Sequence, residues 1–381
     1  MVAVKGRKSS NKNPPILSHE FVIQNHADIF SCVAMVFVVG LMVQATSPWA
    51  YTFIALHHNA TSLISIDGTL PPQPTKYTTG WKDACAVFFY FLITVILHAV
   101  IQEYFFDKIS KRLKLSKSKL SKFNESSQLA VFYAISVIWG IDIIIRENFI
   151  PNVSLLWSDY PAPMSFSLKL FFIGQLAYWF HCYPELYFQR AKREEIPSRI
   201  VQATIGLVFT TAAYILNFQQ VALVLIVLHH AGEGLTHSAK LIHFVDQKEK
   251  SSKAAFMLAN TVYVAARILS VLTAALVFIY GLGQFEGVLS VNEGHFNIPP
   301  VRFSAFGAVV LFQLYLAYIF LKYQRKRSKE IEPPVQKAKV IKQKPKKKEV
   351  NKKSGGSEDD ADSDQGAKKN LRPRPAAAKT K

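Results

Sequence analysis

Long apolar runs broken by short polar stretches dominate this chain. Eight runs approach the roughly 20 residues a membrane-spanning helix needs. They lie at about 29–48, 81–103, 129–145, 166–188, 200–216, 221–237, 254–281 and 304–322. The pattern predicts an all-α, polytopic membrane protein with about eight transmembrane helices. Only Asn217–Gln220 separates the fifth run from the sixth, so these two form either a tight hairpin or one re-entrant unit. Four segments are expected: an N-terminal segment (1–28), two helices with a loop and a linker (29–116), a six-helix module (117–326) and a disordered basic tail (327–381). The first run follows a polar stretch and lacks a small-residue cleavage site, which predicts a retained signal anchor.

Composition adds orientation. Half of the 381 residues are apolar, yet the chain carries a net charge of +19. A mean hydropathy of +0.15 with that much charge requires apolar and charged residues to be segregated along the chain. From Tyr323 onward there are 19 Lys and Arg against 8 Asp and Glu, with no further aromatic residue to seed a core. With the amino terminus in the cytosol, the cytosolic pieces hold 38 basic residues and the lumenal loops hold 3, Lys76, Arg146 and Arg302. The positive-inside rule therefore places both termini in the cytosol. The sequon at Asn59 then falls in the first lumenal loop and is the expected glycosylation site. Asn152 is also lumenal but in a short loop, and Asn124 is cytosolic. In the tail, Ser357 and Ser363 lie beside or within acidic residues, as phosphoserines often do. The Lys346–Lys348 cluster suits anionic lipid or ribosomal RNA, or merely fixes orientation. Cys32, Cys85 and Cys182 are well separated in apolar runs and read as unreactive thiols.

Polar groups within the runs need an account, because hydrocarbon disfavours them. His229, Glu233 and His237 recur every fourth residue and share one helix face, with His230 beside them. Such a stripe faces other helices or a wet cavity; metal binding or acid–base catalysis is the less favoured alternative, since HExxH is absent. His181 is the obvious distant residue that could join it. Arg267, in mid-span, should face the bundle, with Glu233 or Asp142 as counter-charge. Pro184 should kink the fourth span near His181. His98 and Glu103 are expected at the membrane interface. No phosphate-binding glycine loop and no GxSxG elbow occurs, and no catalytic, cofactor-binding or metal-binding set is expected.

Local blocks then carry a resemblance. Ser18-His19-Glu20-Phe21, Gln24 to Asp28, Leu97 to Tyr104, Ser121 to Ser126, Gln175 to Trp179, Pro184 to Gln189 and Glu194 to Pro197 resemble the translocating chain-associated membrane proteins. The likeness extends over about residues 17–325. It implies an endoplasmic reticulum protein beside the protein-conducting channel, near the ribosome. There it would help nascent secretory and membrane chains enter the channel or leave it sideways into lipid. His181, His229, Glu233, His237 and Arg267 would line a polar groove open to membrane lipids. The family shares its fold group with ceramide synthases. Those enzymes carry a histidine pair about ten residues after a Lys-Arg dipeptide, and that count from Lys192-Arg193 falls on Gln202 and Ala203. In a second ceramide synthase stretch Asn217, His229, Ala239 and Lys240 match, while His230, Glu233 and His237 replace its Asp, Asp and Glu. The fold signature survives and the acyl-transfer residues do not. A lipid-modifying acyltransferase is the alternative reading, and a lipid transporter is a third.

Overall fold

The computed structural model describes residues 15, 18–60, 75–246 and 250–331. Ser357, Ser363 and Thr61 of the Asn59 sequon lie outside them. The described residues form ten α-helices: α1 (His19–Gly40), α2 (Ser47–Ile54), α3 (Asp83–Ile101), α4 (Asp107–Leu113), α5 (Lys117–Arg146), α6 (Phe166–Phe188), α7 (Ile196–Ile215), α8 (Gln219–Val245), α9 (Lys250–Ala274) and α10 (Pro299–Ile331). A π-helical turn at Gln102–Phe106 joins α3 to α4, and another at Ala275–Gly281 extends α9. Among the described residues β structure is limited to isolated bridges such as Asn59 to Tyr77 and Tyr77 to Met164. Five segments are long and apolar enough to cross a bilayer: His19–Gly40, Asp83–Leu113, Lys119–Arg146, Lys250–Gln284 and Pro299–Lys326. Large apolar side chains face outward on them, including Val36, Ile138, Met257 and Leu311, each at least 69% exposed. An outward apolar surface on a helical bundle is what a lipid solvent selects. The chain is an all-α, multi-pass membrane protein.

The first expected span is corrected. One helix over 29–48 does not form: α1 begins ten residues earlier and stops at Gly40. Ser18 starts it by accepting a hydrogen bond from the Phe21 N–H at 3.2 Å, an N-cap that offsets one orphan donor. Pro48 lacks an N–H and sits in the first turn of the separate helix α2, where that loss costs least. The junction between the fifth and sixth runs is a tight hairpin. Asn217 adopts φ +58°, which asparagine tolerates better than most residues. Its Nδ2 donates to the Gly294 carbonyl at 2.7 Å, and Gln219 Nε2 donates to Asn217 Oδ1 and to the Tyr214 carbonyl. α6 continues as a single helix through Pro184.

α8 is the inner helix, packed closely against α5 and α9, while α3 lies against α1 and α6. α10 makes only scattered backbone approaches to its neighbours. Glu20 at the start of α1 pairs with Arg190 just after α6, and Arg199 at the start of α7 pairs with Glu125 at 2.9 Å. These contacts mark one end of the bundle, the basic end. At the opposite end, loops interlock. Tyr160 Oη donates to the Leu216 carbonyl at 2.8 Å and accepts the Phe296 N–H at 3.1 Å. Burial pushes its phenol up to about 12, so the donor proton is retained. Tyr160→Phe is expected to cost about 1–3 kcal/mol, by leaving those backbone groups unpaired. Unfolding of the purified variant in detergent checks this, and a loss below about 0.5 kcal/mol would contradict the role assigned to the hydroxyl.

Candidate functional site

A cleft of about 960 Å³ opens between α7, α8, α9 and α10, with Glu125 and Leu129 of α5 and Trp179 of α6 also reaching it. The tight hairpin at Asn217 joins α7 and α8 at one end, yet the two helices approach closely at few points. Leu216, Phe218, Val221, Phe278 and Val301 line the end near this hairpin. His229, His230, Glu233, His237 and Lys240 line the rest of the α8 wall, toward the basic end. From His229 to Lys240 the ionisable wall spans about 16 Å of helix.

Each polar group is held differently. His230 is buried, and its Nδ1 lies 2.7 Å from Ser136 Oγ, which accepts from Gln175 Nε2 at 2.7 Å. Arg267 Nη1 donates to His229 Nδ1 at 2.9 Å, so the ring proton of His229 sits on Nε2. Its guanidinium also lies over the Tyr263 ring, 4.7 Å from the centroid. A Cβ at Gly232 would come within 3.3 Å of Arg267 Nη2, so the glycine makes room for this approach. Of the expected counter-charges, Asp142 pairs instead with Arg146 at 2.9 Å, while Glu233 attracts Arg267 electrostatically without a direct ion pair among the described residues. A neutral imidazole on the neighbouring helix α8 and an aromatic face one turn earlier on α9 itself hold the arginine. His237 is buried against the Tyr133 ring, and its Nδ1 is unpartnered. Gln202 and Ala203, the positions reached by counting ten residues from Lys192-Arg193, lie on α7; Gln202 lines the cleft and donates to Tyr133 Oη at 3.2 Å.

Of the five residues expected to form the groove, His229, Glu233 and His237 line the cleft. Arg267 stands behind His229 and is not part of the lining. His181 is elsewhere. It is buried between α6 and α3, and its Nε2 lies 3.1 Å from His98 Nδ1. His98 Nε2 in turn lies 3.1 Å from Glu185 Oε1. The His98 side chain is 11% exposed and turned toward α6. Sequence reading passed over Glu185. A usable signal was there, because His181 and Glu185 are spaced i, i+4 on one face of α6.

Comparison with known proteins matches residues 122–322 to the TLC domain model. Translocating chain-associated membrane protein 2 of Mus musculus is 39% identical over 321 residues, 84% of this chain and 85% of that protein. The Homo sapiens protein of the same name gives the same identity and coverage. Ceramide synthase 5 of Mus musculus is 25% identical over 151 residues, 39% of this chain and 36% of that enzyme. A likeness to the first group at 39% identity over 84% of this chain, with the ceramide synthases as distant relatives, means that the chain belongs to the translocating chain-associated membrane protein family.

Proposed function

We propose that the chain is an endoplasmic reticulum membrane accessory of the protein-conducting channel. It aids translocation of nascent secretory proteins and lateral insertion of signal sequences and transmembrane segments. The similarity over 84% of this chain to relatives named for association with translocating chains carries this reading. The cleft supplies the physical means. A signal sequence leaving the channel brings an apolar core with polar flanks. Placing a charged side chain at the bilayer centre costs about 2.5–3.5 kcal/mol on insertion scales. The wall of His229, Glu233, His237 and Lys240 offers such flanks a polar contact at membrane depth, while the outward faces of α7 and α10 remain apolar. Lipid occupies the cleft between clients.

In this reading both termini are cytosolic, the module 117–326 holds the cleft, and the basic tail 327–381 lies near the ribosome. Asn59, which is exposed at the end opposite the basic end, is lumenal and glycosylated. Asn59→Gln is expected to migrate faster on a gel when made in microsomes, and unchanged mobility would count against the topology. The acyltransferase reading draws on the shared TLC domain, but Gln202 and Ala203 lack the imidazoles for acyl transfer.

Site-specific photocrosslinking from a stalled nascent chain, in microsomes containing this protein, tests the proposal. A crosslink that appears as the signal enters the membrane and fades as it leaves supports the role. If no probe position crosslinks, the role is refuted, and acyl transfer becomes the reaction to assay.

A further inference from the structure

We propose that His98, His181 and Glu185 form a binding site for a divalent transition metal, zinc foremost, that clips α3 to α6. One ligand atom from each residue can be chosen so that all three lie within 4.8 Å of one another. A tetrahedral zinc with bonds of about 2.0–2.2 Å holds its donors about 3.3–3.6 Å apart, so closure needs side-chain shifts of about 1 Å. Two imidazoles and one carboxylate are a donor set that suits zinc. The site is distinct from the cleft, and the translocation role neither requires it nor supplies it.

The hydrogen bonds around the cluster argue for a cation. His181 Nδ1 lies 2.7 Å from the Tyr178 carbonyl, which can only accept, so the ring proton is on Nδ1 and the Nε2 lone pair, the atom a metal would take, faces the His98 Nδ1–H at 3.1 Å. The carbonyl contact is the usual outer support of a metal-binding histidine. Gln189 is oriented by Arg199, whose Nη1 donates to Gln189 Oε1 at 3.2 Å. The amide nitrogen of Gln189 therefore faces His98 Nε2, at 3.1 Å, and that nitrogen must accept. Glu185 Oε1 lies 3.1 Å from the same nitrogen, so two acceptors face one another. Glu185 Oε2 is buried without any hydrogen-bond partner. Buried acceptors left in this state are unfavourable, and a shared cation is what would satisfy them. A proton on Glu185 is the competing solution.

The cluster is also built to be held and reached. Gln128 of α5 donates to the His98 carbonyl at 3.2 Å and to Gln102 Oε1 at 3.1 Å, which fixes the end of α3. The side chains of His98 and Glu185 each keep 11% exposure, enough to leave an entry path toward the basic end. The three side chains leave a tetrahedral ion one position for water. α3 lies outside the stretch matched by the TLC domain and α6 lies inside it, so the metal would join the N-terminal helices to that domain.

The test uses the full chain purified in detergent, stripped with a chelator and reloaded with Zn²⁺. Metal content is read by mass spectrometry, affinity by competition with a chromophoric chelator, and ligand type by X-ray absorption. The expected result is one zinc held by nitrogen and oxygen only. Glu185→Gln and His98→Gln should each weaken binding by about 100-fold or more, beyond the 10- to 100-fold typical of losing an outer support. His237→Gln, a cleft variant, should bind as the parent does. Undetectable zinc, unchanged affinity in Glu185→Gln, or a sulfur ligand would overturn the proposal. If the variants do not fold, the parent alone decides: zinc must raise its unfolding temperature after stripping, and no rise refutes the site.

Discussion

Asp83→Leu is expected to destabilise the protein by about 3–5 kcal/mol, the range for breaking a buried ion pair from one side. Lys169, near the start of α6, is fully buried, with its ammonium 2.7 Å from Asp83 Oδ1 at the start of α3. Two further acceptors, the carbonyls of His57 and Thr78, lie 2.7 Å from the same nitrogen. Asp83 Oδ2 accepts from Tyr214 Oη of α7 and from the Gly80 N–H, both at 2.8 Å. One carboxylate thus ties three helices and the loop before α3. Removing it strands an ammonium in a dry site and frees two donors. Lys169→Met combined with Asp83→Leu removes both charges together and should recover most of the loss. Unfolding in detergent measures both. A double variant as unstable as Asp83→Leu would show that the hydrogen bonds to Asp83, and not the buried charge, carry the effect.

Replacing His229, Glu233 and His237 together with leucine should lower crosslinking of weakly apolar signal sequences about tenfold. A polar wall that recovers even about 1.4 kcal/mol of the insertion cost accounts for that factor. Strongly apolar signals have little to recover and should crosslink as before, which separates a cleft effect from general loss of function. Folding is the necessary control, because Arg267 loses its imidazole partner in this variant. Glu233→Leu alone leaves the Arg267–His229 contact in place, and it should give a smaller change of the same sign. Equal loss for strong and weak signals would remove the cleft from the mechanism.

Most of the helical architecture was legible because lipid imposes a coarse rule, a long apolar run for each crossing. Ser18, Pro48 and Asn217 set helix limits by local chemistry that hydropathy averages away. The cleft wall was legible on α8 since His229, Glu233 and His237 share a helical period. Partnerships across the bundle were not. Lys169 carries no local pattern that names a partner, and its carboxylate, Asp83, lies 86 positions earlier. His181 read as a companion of the α8 stripe, whereas its partner His98 is 83 positions away on α3. Period and composition describe one helix at a time. Which helix stands opposite is decided by packing, and packing is set by side chains such as Phe171, Phe172 and Leu223 that look alike in sequence.

The uneven lining of the cleft bears on permeability. Its histidines and charged residues are His229, His230, Glu233, His237 and Lys240 of α8 with Glu125 of α5, toward the basic end, whereas Leu216, Phe218, Val221, Phe278 and Val301 line the other end. Water admitted from the basic end would meet a hydrocarbon plug partway across. In the proposed role the cleft would therefore hydrate a passing segment without opening a continuous water path for ions.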